Sequence, residues 1–167
     1  MSLLELFCDV DDFWQRLEGQ HQAELPRRAG QRVRKPGLGE SEIMTIVIAF
    51  HQSGYRCFKA YYQQHVRQHW KQEFPGAMSY SRFICLVPHV VMALWAYALA
   101  RCGRCSGISF VDSTALRVCH NRRITRHRVF AGIAARGQSS TGWFYGFKLH
   151  LVVNDRGEIL AFHLTPA

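Results

Sequence analysis

Gly142-Trp143-Phe144-Tyr145-Gly146-Phe147-Lys148-Leu149-His150-Leu151-Val152-Val153 is long, aromatic and β-branched, and it reads as a strand. Alternation puts Lys148 and His150 on one face with Gly146, and Trp143, Tyr145, Phe147 and Leu149 on the other. Asn154-Asp155-Arg156-Gly157 has the composition of a hairpin turn, and Glu158 to Leu164 returns antiparallel. Upstream, Ile108-Ser109-Phe110-Val111-Asp112-Ser113-Thr114 reads as a short buried strand that ends in a hydroxyl-rich turn. These segments predict a β-region of three, mostly antiparallel strands.

What precedes them is helical. Leu3, Leu6, Phe7, Val10, Phe13, Trp14 and Leu17 recur at helical spacing, so a helix is expected over residues 3–25. A basic linker follows at 26–39, with Arg27, Arg28, Arg32, Arg34 and Lys35. Ser41 is the expected N-cap of a second helix, Glu42 to Gln52, and a third runs from about Cys57 to Glu73. Ser79 or Ser81 caps a fourth, reaching about Leu99. The fold class is therefore α+β, with a helical region at 1–103 and a β-rich domain starting at 104. Phe83 to Ala100 carries no formal charge and borders on membrane-spanning length, but Pro88-His89 interrupts it. A buried, kinked helix is the preferred reading.

The chain has 21 Lys and Arg against 12 Asp and Glu, a formal charge of +9. The excess is uneven, with seven positive and no negative side chains from Ser113 to Asn154. Such a stretch favours polyanions, and nucleic acid first among them. The six cysteines are dispersed, and Met1-Ser2-Leu3-Leu4-Glu5 lacks the marks of a secretory signal, so reduced thiols in the cytosol are expected.

Asp112 is the only carboxylate between Phe74 and Asn154. An acid in an apolar strand needs a partner or a role, and either metal ligation or capping of the following turn would supply one. Asp155 and Glu158 are explained by hairpin-turn chemistry. From Arg117 to Arg128 basic and hydrogen-bonding groups alternate, which suits phosphate contact by a loop through Arg117, Arg122, Arg123, Arg126 and Arg128. Gly132, Gly137, Ser139, Ser140 and Thr141 extend that loop character, and Lys148 and His150 are placed to line a cleft beside Asp112. Cys102-Gly103-Arg104-Cys105 has the spacing of half a zinc knuckle, with simple apolar thiols as the plainer reading. Residues 41–73 have the helix, short turn and helix of a DNA reader, or of any helix bundle.

Three segments taken together resemble the DDE transposases of bacterial insertion sequences. They are Ile108 to Thr114, Val118-Cys119-His120-Asn121-Arg122-Arg123, and Gly142 to His150. Ser41 to Ile46, His51 to Lys59 and Glu73-Phe74-Pro75 resemble the N-terminal region of the same proteins. The resemblance implies an RNase H-like catalytic domain that cuts and rejoins transposon ends with Mg²⁺ or Mn²⁺. Asp112 matches the first Asp of the triad, as catalytic residue and metal ligand. The second Asp and the Glu belong to later elements, past Leu164-Thr165-Pro166-Ala167. A truncated copy, inactive alone, is expected. The implied partners are DNA, as transposon ends and target, and further copies of the complete enzyme, with no membrane. The implied location is the bacterial cytoplasm at the nucleoid. The alternative is a non-catalytic DNA-binding or regulatory fragment of a transposase.

Overall fold

A computed structural model of the chain describes residues 1–21 and 37–167. The expected end of the first helix and most of the basic linker lie outside the described residues. Contacts divide the chain into two units, Met1–Ala98 and Leu99–Ala167.

The first unit is built from helices. Helix α1 spans Leu3–His21, and it buries Leu6 and Val10. Helix α2 spans Glu40–Gln52 and turns Ile43, Met44, Ile46 and Ala49 into the core. Its N-cap is Gly39 rather than Ser41. The Gly39 N–H donates to Glu42 Oε2 at 2.6 Å, so the acid in the first turn ties down an N-terminal donor. Ser41 is buried one position inside the helix, where its carbonyl accepts the Thr45 hydroxyl at 2.8 Å.

The expected third helix is broken. Its helical part is α3, Phe58–Ala60, followed by a π-helical segment, Tyr61–Val66, and then turns. Adjacent Tyr61 and Tyr62 are both fully buried, with their hydroxyls donating to the carbonyls of Ile46 and Met78 at 3.3 and 2.9 Å. Burial holds the Tyr61 phenol far above its usual range. A wide turn suits this double burial, and the result is not the regular recognition helix that a helix-turn-helix reader presents.

Helix α4 spans Tyr80–Ala100 and contains Pro88. It buries Phe83, Val90 and Ala93, while Val91, Met92 and Trp95 stay exposed. The expectation of a buried helix fails here, since only 17% of its most apolar window is covered. By length and composition alone the helix could cross a membrane.

The second unit is a four-stranded antiparallel sheet: β1 (Ser109–Cys119), β2 (Ala135–Ser139), β3 (Gly142–Asn154) and β4 (Ile159–Pro166). Strand β3 is the spine. One edge pairs with β1 along its length, while the other pairs first with β2 and then with β4. The α+β reading holds, with one strand more than the sequence led us to expect.

Two residues of the spine fix its geometry. Gly146 lies opposite Arg117 at a break in the β1–β3 register, and a Cβ there would stand 2.0 Å from the Leu116 carbonyl oxygen. Asn154 is 2% exposed and organises the β3–β4 turn. Its Oδ1 accepts the backbone N–H groups of Arg156 and Glu158, and its Nδ2 donates to Glu158 Oε2 and to the Arg104 carbonyl.

Candidate nucleic-acid interface

Asp112 is neither buried nor at a strand end. Strand β1 runs on through Ser113 and Thr114 to Cys119, so the turn it was expected to cap is absent, and its side chain is exposed. Its pairing partner is Leu151, which pairs in turn with Phe162 of β4. Directly paired residues share a face, so Asp112 stands with Phe110, Thr114, Leu149, Leu151 and Phe162 on one side of the sheet. Its recorded hydrogen bond is short-range, the Ser113 backbone N–H donating to Oδ1 at 2.7 Å.

An exposed carboxylate in the middle of an apolar face does little for the strand that carries it. Asp112→Val should therefore change unfolding free energy by less than about 1 kcal/mol, read by denaturant titration. A loss of more than about 2 kcal/mol would make Asp112 a structural residue instead.

Lys148 and His150 fall on the other face. They pair with Ala115 and Ser113 on β1, and with Thr165 and His163 on β4. His150 Nε2 lies 3.1 Å from Thr165 Oγ1. The expected cleft shared by Asp112, Lys148 and His150 is therefore not formed, because an odd offset in register separates them across the sheet. Asp155 and Glu158 are held at the hairpin. Asp155 accepts the Ser106 hydroxyl, and Glu158 accepts from Asn154 at 2.6 Å.

The basic segment after β1 is ordered rather than a plain loop. Asn121–Arg126 forms a 3₁₀ helix whose N-cap is His120. Asn121 Nδ2 donates to the Trp143 carbonyl at 2.9 Å, which pins this helix to β3. Arg122, Arg123, Arg126 and Arg128 are all exposed. Arg117, on β1, donates to Thr141 Oγ1 at 2.7 Å, so it braces the β2–β3 turn. The expected loop residues Gly137 and Ser139 belong to strand β2.

Two clefts border this segment. One, of about 400 Å³, is lined by Val118, Cys119, His120, Arg123, Arg126 and His127. The other, of about 350 Å³, is lined by Asn121, Arg136, Trp143 and Phe144. Sequence reasoning left His120, His127 and Arg136 out of the binding set, although each is a polar neighbour of the arginines it chose. Their type gave a signal, but their convergence depends on the fold.

Cys102 and Cys105 flank the start of the unit, and the Cys105 Sγ lies 3.7 Å from Ser109 Oγ. Hydrogen bonds from the Gly107 backbone and from Ser109 hold the Cys105 thiol below its usual range. Among the described residues no three His, Cys, Asp or Glu side chains converge in a way that could hold a metal ion.

Neither a curated protein nor a solved structure matches the chain. A protein-family model does match, over residues 102–167, and its description is the transposase DDE domain. The strand-rich part of this chain, residues 102–167, is thus similar to the transposase DDE domain.

Proposed function

We propose that the chain is a DNA-binding portion of an insertion-sequence transposase, and that its second unit supplies phosphate contacts and one catalytic carboxylate, Asp112. The observation that carries this reading is the charge of the unit that matches the family. Residues 99–167 hold ten Lys and Arg against three Asp and Glu, a formal +7. A surface of that sign is attracted to the phosphate backbone whatever the base sequence. Arg122, Arg123, Arg126 and Arg128 form its densest run, with Arg117, Lys148 and His150 on the adjoining strands.

Transposases of this kind generally act on DNA, and DDE domains generally use a divalent metal ion. The residues described here do not make a metal centre on their own. Hard cations such as Mg²⁺ take several oxygen ligands, and Asp112 offers one carboxylate on a face of apolar side chains. Asp155 lies just past the end of the ladder, four residues beyond Leu151 or roughly 13 Å at strand spacing, and is engaged by Ser106. Further carboxylates are needed before strand cleavage can occur. We therefore read these residues as binding DNA without cutting it on their own, in the bacterial cytoplasm.

The test is strand cleavage by the purified chain, with Mg²⁺ or Mn²⁺, against an Asp112→Asn control. Cleavage of the wild type should not exceed the control. Robust cleavage that the substitution abolishes would show that this chain completes a catalytic site unaided. The same lone carboxylate favours a second reading, a regulatory fragment that occupies transposon ends without acting on them. Selective retention of terminal inverted repeats over random duplex would support end recognition.

A further inference from the structure

The cleft beneath the 3₁₀ helix has an arrangement that the sequence alone does not suggest. In a 3₁₀ helix, residues three apart lie above one another. That winding aligns His120, Arg123 and Arg126 on one side, and these three line the cleft together with His127. Arg122 and Arg128 are absent from its lining.

The two imidazoles are set by backbone donors. His120 Nδ1 accepts the Arg122 N–H at 3.3 Å, and His127 Nε2 accepts the Phe130 N–H at 3.4 Å. Each ring thus spends one nitrogen as an acceptor, which leaves the other, Nε2 of His120 and Nδ1 of His127, to carry the proton. His127 is further fixed by stacking on Phe130, with ring centroids 5.8 Å apart. No carboxylate lines the cleft.

We propose that this cleft seats one phosphodiester of a DNA backbone, with Arg123 and Arg126 as the charged grip and the two histidine N–H groups as additional donors. Guanidinium groups meet phosphate oxygens in pairs of parallel hydrogen bonds, and converging donors in a concavity fix the register of the strand. The seat rests on the DNA-binding reading above but is narrower, because it distinguishes two pairs of arginines of equal charge. Arg123 and Arg126 face the seat, whereas Arg122 and Arg128 contribute only to the surrounding field.

The test compares Arg123→Gln/Arg126→Gln with Arg122→Gln/Arg128→Gln in the full chain. Duplex DNA affinity is measured at fixed salt, and circular dichroism melts confirm that both variants fold. Inorganic phosphate is titrated separately while the ring resonances of His120 and His127 are followed. The first pair should weaken duplex binding by about tenfold or more and the second by less than about threefold. Phosphate should shift both ring signals in the wild type but not in the first variant. Equal losses from the two pairs, with unmoved ring signals, would overturn the seat while leaving DNA binding intact. Phosphate shifts in a wild type that binds no duplex would assign the cleft to free phosphate, and would overturn both the seat and the DNA-binding reading.

Discussion

Gly146→Ala is expected to destabilise the sheet unit by about 3 kcal/mol, enough to leave a large fraction of it unfolded near physiological temperature. The added methyl would stand 2.0 Å from the Leu116 carbonyl oxygen and 3.1 Å from Val118 N. Both are backbone atoms of β1, so no side-chain rotation relieves the contact. The spine cannot retreat either, because the opposite edge of Gly146 pairs with Ala135 of β2. Trp143 is the only tryptophan in residues 99–167, and the remaining three lie in the helical unit. Near-ultraviolet circular dichroism with denaturant, together with a Trp143→Phe background, will resolve the unit's transition. A midpoint equal to that of the wild type would mean that β1 and β3 do not approach as described.

The same residue shows how far the sequence could be read. Strand β3 was legible because its alternation is long and its flanking turn residues are strong signals. Its partner β2 was not. Ala135-Arg136-Gly137-Gln138-Ser139 has the composition of a loop, and it is extended because β3 offers an unpaired edge over Gly142–Gly146. For β1, the Ser113-Thr114 pair read as a turn, yet ten β1 residues are held opposite β3. In both cases tertiary pairing overrode a local preference.

The helical unit shows the same limit at Tyr61 and Tyr62. Helical periodicity anticipates one buried face, whereas here two adjacent rings are buried against Phe58 and Phe83, and the backbone widens into a π turn. The candidate site was legible as chemistry and not as geometry. Composition singled out Asp112 and the arginines. Only the register shows that Asp112 lies across the sheet from Lys148 and His150, and only the 3₁₀ winding sorts Arg123 and Arg126 from Arg122 and Arg128.

The second large effect is on DNA affinity. With Arg123 and Arg126 as the direct contacts and Arg122 and Arg128 adding to the field beside them, the charge equivalent of about three to four phosphates is neutralised on binding. Counterion release then lowers the association constant with a log–log slope of about −3, or somewhat steeper. Raising monovalent salt from about 50 to about 200 mM should weaken binding by roughly 40- to 150-fold. Acids elsewhere on the chain do not cancel this, since the charge that matters lies within a Debye length of the backbone.

Fluorescence anisotropy of a short labelled duplex, titrated with the full chain across that salt range, tests the central claim most directly. The account predicts binding at low salt with a steep, linear loss of affinity. Absence of binding at low salt, or an affinity that stays flat as salt rises, would contradict it.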